Sequence, residues 1–101
     1  MFVYNITMKV EKQMEQDWIE WQKKEHIPEM MATGKFTEFK FFKLHSPSLE
    51  EENTYVIQYY SVSETEYQEY LNEFAPSLRD RAVARWGNNF VAFRSTMETV
   101  Q

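Results

Sequence analysis

Residues 2–10 read Phe2-Val3-Tyr4-Asn5-Ile6-Thr7-Met8-Lys9-Val10, and their order decides the fold. Phe2, Tyr4, Ile6, Met8 and Val10 alternate with Val3, Asn5, Thr7 and Lys9. A two-residue period belongs to a β-strand, whose successive side chains point to opposite faces. Directly downstream the period changes. Met14, Trp18, Trp21 and Glu25 recur at helical spacing and form one stripe, with Ile19 beside it. Ile27-Pro28 is expected to break this helix, because a proline ring disfavours helical backbone in the residue before it. A short turn from Pro28 to Ala32 follows and ends at Gly34.

The same reading continues along the chain. Phe36 to Leu44 is a second strand, and Ser46 to Asn53 is an acidic connection that contains Pro47 and Glu50 to Glu52. Tyr55 to Val62 is a third strand. Ser63 and Glu66 have capping-box spacing and open a second helix, striped by Tyr67, Tyr70, Phe74, Leu78 and Trp86. Pro76 should kink that helix and Gly87 end it; Phe90 to Val100 supplies a fourth strand. The order is strand, helix, strand, strand, helix, strand. It predicts an α+β, ferredoxin-like βαββαβ fold over residues 1–101 as a single domain, a four-stranded antiparallel sheet with two helices on one face.

Composition narrows the function. The chain has 101 residues, 43% of them apolar and 17% aromatic, and each aromatic ring can bury ~150–250 Å². Packing can therefore carry stability. With no cysteine, disulfides, thiolate metal sites and a Cys nucleophile are excluded. Sixteen acids against eleven Lys and Arg give a net charge of −5, which argues against nucleic acid and anionic membranes as partners. No segment approaches the ~20 apolar residues of a membrane span. Met1 to Val10 lacks the basic start and continuous apolar run of a signal peptide, so the expected compartment is the cytoplasm.

Two helices cover only one face of a four-stranded sheet. The other face, roughly 500–600 Å² at ordinary strand rise and spacing, carries apolar groups too, since the strands have them on both sides. Monomers rarely leave such a patch in water. Pairing of two copies through the sheet is the simplest remedy, so a homodimer is expected.

Four polar residues are candidates for a ligand site. His26 follows the tryptophan stripe and precedes Pro28, facing a cleft at the helix end, and it is the candidate proton carrier. Its ordinary alternative is to complete the helix C-terminus. Asn5, Gln58 and Arg94 lie on strands that are central or next to centre in this fold, where polar groups need partners, a wet pocket or an interface. Arg94 can hold a carboxylate bidentately. For Asn5, Gln58 and Arg94, polarity of the fold or of the dimer interface is preferred over ligand binding; if there is a pocket, its polar contacts are expected from all four, with Trp18, Trp21 or Trp86 as core residues able to double as its wall. Glu25, His26 and Glu29 do not make a metal site, and neither metal nor cofactor is expected.

A resemblance rests on Val3-Tyr4-Asn5, Trp18-x-x-Trp21, Glu25-His26-Ile27-Pro28, Thr33-Gly34-x-Phe36, Gln58-Tyr59, Ala75-Pro76-x-Leu78-Arg79 and Ala92-Phe93-Arg94. The set resembles a family of short bacterial proteins catalogued as a domain of unknown function, within the dimeric α+β barrel superfamily. The resemblance implies two ferredoxin-like units pairing their sheets, with a pocket between sheet and helices in each. It brings no established activity. Cofactor-independent monooxygenases, isomerases and haem-degrading enzymes share the superfamily. The haem-degrading branch pairs a first-strand Asn with a second-helix His; Asn5 fits the former, but residues 63–86 contain no His. The leading expectation is a homodimeric binding or interaction domain with a small apolar ligand; the alternative is a cofactor-independent monooxygenase or isomerase. RNA binding through Tyr59 and Tyr60 is set aside, because the third strand lacks the basic and glycine positions of that motif.

Overall fold

The computed structural model describes residues 1–46, 53–87 and 90–101. Its elements are β1 (Phe2–Val10), α1 (Glu15–Trp21), α2 (Ile27–Ala32), β2 (Glu38–Lys43), β3 (Asn53–Ser61), α3 (Glu64–Glu73), α4 (Ala75–Trp86) and β4 (Val91–Glu98). The strands form one antiparallel sheet in the order β2-β3-β1-β4, which is the ferredoxin-like arrangement. The helical segments form two arms on one face. Most of the expected connection from Ser46 to Asn53 lies outside the described residues.

Strand alternation places the core. On β1 the even residues Tyr4, Ile6 and Val10 are buried against the helices, and on β3 the odd residues Tyr55, Ile57 and Tyr59 are. Tyr4 anchors an aromatic cluster, with ring centroids 5.1 Å from Tyr67 and 5.7 Å from Tyr70. Trp18, from α1, is fully buried beside Tyr55 and Phe41.

The first arm differs from the expected break at Pro28. Residues Gln22–His26 form a π turn, and α2 continues directly from it. The Ile27 N–H bonds the Gln22 carbonyl, five residues back. Proline at position 28 has no N–H to give an α-turn. It sits in the first turn of α2, where that loss is tolerated.

Other boundaries moved by a few residues. Phe36 precedes β2 and is buried in the core, although ladder bonds persist at Thr37 (to Tyr60 O, 2.7 Å) and Leu44 (to Thr54 O, 2.8 Å). β3 begins at Asn53 and stops at Ser61, leaving Val62 exposed. The second arm is interrupted at Phe74, with Pro76 in the first turn of α4, and Gly87 ends it at φ +74°. The Ser63 hydroxyl donates to the Glu66 carboxylate rather than capping a backbone N–H, and holds that carboxyl below its ordinary range.

Candidate functional site

A cavity of about 360 Å³ lies between the sheet and the two helical arms. That volume falls within the ~300–1,000 Å³ usual for small-molecule sites. Its floor is Tyr4, Ile6 and Met8 of β1 with Ile57 and Tyr59 of β3. The first arm contributes Trp18, Gln22 and His26; the second contributes Arg79, Ala82 and Trp86. Arg94 of β4 stands at the margin. All three tryptophans of the chain border this one space.

The π turn sets the position of His26. Residues five apart on an α-helix point about 140° away from each other. Here Trp21 and His26 are instead stacked, with centroids 4.6 Å apart and planes at 15°. The wider turn brings the imidazole round beneath the indole and onto the cavity wall. π turns recur at functional sites because they redirect side chains in this way. Trp21 also meets Trp86 edge-on at 5.9 Å, so the two arms close over the cavity through aromatic contacts.

Burial then sets the chemistry of His26. Desolvation pulls the imidazole pKa from 6.5 down to about 4, against a smaller upward pull from the Glu29 charge. Near neutral pH the ring is uncharged, and its Nδ1 is buried with no hydrogen-bond partner among the described residues. Packing under Trp21 thus sets this ring apart from an exposed helix-end histidine.

Nδ1 is not an isolated case. The buried polar side-chain atoms left without a partner among the described residues are Trp18 Nε1, Gln22 Oε1, His26 Nδ1, Tyr59 OH and Trp86 Nε1. Every one belongs to a residue lining this cavity. Each such group costs ~1–3 kcal/mol when left unbonded. Burial, reinforced by neighbouring Tyr70 and Tyr4, raises the Tyr59 phenol pKa, so Tyr59 is a neutral O–H donor. The residues around the cavity thus hold three donors (two indoles and a phenol), one amide acceptor, and an imidazole nitrogen that can serve as either, all buried and without a partner among the described residues.

The four residues expected to share a cleft are divided between the two sides of the sheet. His26 and Arg94 line the cavity. Asn5 and Gln58 face each other across β1 and β3 on the opposite side, where Gln58 Nε2 donates to Asn5 Oδ1 at 3.2 Å. Asn5 Nδ2 donates to Thr7 Oγ1 at 3.3 Å, and the Tyr60 hydroxyl donates to Gln58 Oε1. Register explains the division. Arg94 pairs with Ile6, a helix-facing residue, whereas Asn5 pairs with Ser95. A one-residue offset sends a side chain to the other face.

Sequence reasoning missed Gln22, Tyr59 and Arg79. Gln22 carried a usable signal: it lies four residues after Trp18 on the buried stripe, and it is 2% exposed. Arg79, next to Leu78, donates from Nη2 to the Tyr4 hydroxyl at 3.4 Å. Among the described residues no cluster of metal-ligating side chains is present, and no helix is long and apolar enough to cross a membrane.

Residues 1–100 match the family described as domain of unknown function DUF4286. The chain belongs to this family. No curated protein matches it. Among solved structures, a dimeric ferredoxin-like protein from an uncultured marine organism superposes with a TM-score of 0.80 at 12% identity, covering 99% of this chain and 95% of that one. An EthD family protein from Bacillus halodurans gives 0.68 at 17% identity, covering 99% and 100%. A Bacillus cereus protein, provisionally assigned as an antibiotic biosynthesis monooxygenase, gives 0.60 at 13% identity, covering 99% and 95%. At these identities the likeness is one of fold.

Proposed function

We propose that this DUF4286 chain is a homodimeric small-molecule-binding domain whose ligand occupies the cavity between sheet and helices. The observation that carries the reading is that all five buried side-chain polar atoms without a partner among the described residues belong to residues lining one cavity. Buried polar groups in folded proteins are nearly always hydrogen-bonded, and an aromatic-walled cavity with a few convergent polar groups has the chemistry of a ligand site.

Assembly through the open face is supported by its side chains. Phe42, Val91, Phe93 and Met97 all fall on the side opposite the helices by register, and all are exposed; Phe93 is 63% exposed. Asn5 and Gln58 lie at the middle of that face, joined by one hydrogen bond, with Asn5 also bonded to Thr7. On this reading they are polar fixtures of an interface and not ligand contacts. The most similar structure described above is itself dimeric.

A catalytic version of the same site uses the unpartnered His26 Nδ1 as proton acceptor toward a bound substrate, as a cofactor-independent monooxygenase or isomerase would. Native mass spectrometry of protein purified without added ligand tests the binding reading. A small molecule carried by the folded protein, and released on acid denaturation, is the expected result. Protein that retains nothing and leaves its tryptophan emission unchanged with every aromatic ligand offered would defeat the reading. Turnover of the retained compound, abolished by His26→Ala, would select the catalytic version.

A further inference from the structure

Resting on the binding reading above, we infer that the ligand is an aromatic carboxylate, its acid group held by Arg79 and Arg94 and its ring system lying against the aromatic wall of the cavity. The two guanidiniums come from different elements, α4 and β4, yet border the same cavity. Both positive charges also oppose the upward push that burial exerts on the Tyr67 and Tyr70 phenols. Arg79 sits over the Tyr4 floor, its Nη2 donating to the Tyr4 hydroxyl at 3.4 Å, and Arg94 borders the same cavity from β4. Both residues are solvent-exposed, which places them at its mouth.

The charge around that mouth is one-sided. Among the described lining residues there is no Asp or Glu. Arg94 makes no ion pair or hydrogen bond among the described residues, and the hydrogen-bond partner of Arg79 is the neutral Tyr4 hydroxyl. By contrast Arg81, on the same helix but outside the cavity, is paired with Glu29. Two guanidiniums at one opening, on a chain whose net charge is −5, attract an anion locally where the protein as a whole repels one. A carboxylate matches the guanidinium fork with two parallel hydrogen bonds.

The deeper part of the cavity specifies the rest of the ligand. Trp21 and Trp86, both part-buried, present aromatic surface that suits a planar aromatic body, with the buried Trp18 behind them. The neutral imidazole of His26 and the Tyr59 hydroxyl place no charge there, and with the indole N–H groups they can bond a neutral oxygen substituent on the ring. Polarity thus runs from cationic at the mouth to neutral at the base.

The test compares 2-naphthoate with its uncharged counterpart, 2-naphthamide, by quenching of tryptophan fluorescence in the full chain. All three indoles border the cavity, so binding there is read directly. The expected result is at least tenfold tighter binding of the carboxylate, with the preference falling below threefold in Arg79→Gln and in Arg94→Gln and unchanged in Arg81→Gln. Far-ultraviolet circular dichroism establishes that each variant is folded. Equal affinity for the two probes, or a preference that survives both cavity substitutions, overturns the carboxylate assignment and leaves the binding reading standing. No quenching by either probe at millimolar concentration overturns both.

Discussion

The buried imidazole of His26 links stability to pH, and the sign follows from its surroundings. The folded pKa lies at about 4 against an ordinary value of 6.5. As pH falls below 6.5 the unfolded chain takes up the proton first, so stability declines through the window from 6.5 to about 4 and then levels off. The full depression corresponds to ~3.4 kcal/mol, of which about 2 kcal/mol is lost between pH 7 and pH 5. Carboxylates contribute over part of the same range, so the measurement must be a difference. His26→Gln keeps a neutral hydrogen-bonding side chain and removes the titration. Urea unfolding of both proteins at pH 7 and pH 5, at one fixed protein concentration, isolates the histidine. Wild type should lose ~2 kcal/mol more than the variant over those two units. A gap between the two proteins that stays the same at both pH values would show that His26 is not desolvated under Trp21, and the account of the π turn would fail with it.

Other predictions concern packing and assembly. Trp18 is fully buried against Phe41, Tyr55 and Phe90, so Trp18→Ala should cost ~3–5 kcal/mol in chemical denaturation. Trp21 is only part-buried, and Trp21→Ala should cost roughly half as much; equal losses would contradict their different burial. On the open face, Phe93→Asp places a carboxylate twice in a symmetric interface. It should weaken dimerisation by ~3–6 kcal/mol, or roughly 10²–10⁴-fold. Sedimentation at micromolar concentration should show twice the 12.3 kDa chain mass for wild type and a single chain for the variant. A wild-type monomer would leave Phe42, Val91 and Met97 without an explanation.

The fold was legible because its signals are local and periodic. The alternation of residues 2–10 and the tryptophan stripe each reflect one element meeting one core, and strand order followed from the sequence of elements. The π turn was not legible. Pro28 signals that helical hydrogen bonding must change nearby, but a break and a widened turn both satisfy that local signal; in the fold the turn widens and His26 stacks on Trp21. The same holds for the site. His26 and Arg94 were identified as candidates from chemistry alone, yet the face on which Asn5, Gln58 and Arg94 lie depends on strand register, which is fixed by pairing across the sheet. Gln22 was readable as a polar interruption of an apolar stripe. Arg79 and Tyr59 were not, because their relation to the cavity exists only once both helical arms are folded over β1 and β3.

The central claim is that the polar atoms lining one cavity are ligand contacts. The chain has three indole N–H groups, and those of Trp18 and Trp86, both cavity-lining residues, are buried without partners among the described residues. A two-dimensional nitrogen–proton spectrum resolves each as a separate resonance. Titrating with the ligand recovered from native protein, or with 2-naphthoate, should move the Trp18 and Trp86 indole signals saturably and together, while backbone signals of the open sheet face stay in place. Saturable shifts confined to Phe93, Met97 and their neighbours, with both indole signals unmoved, would place binding on the other side of the sheet and contradict the account.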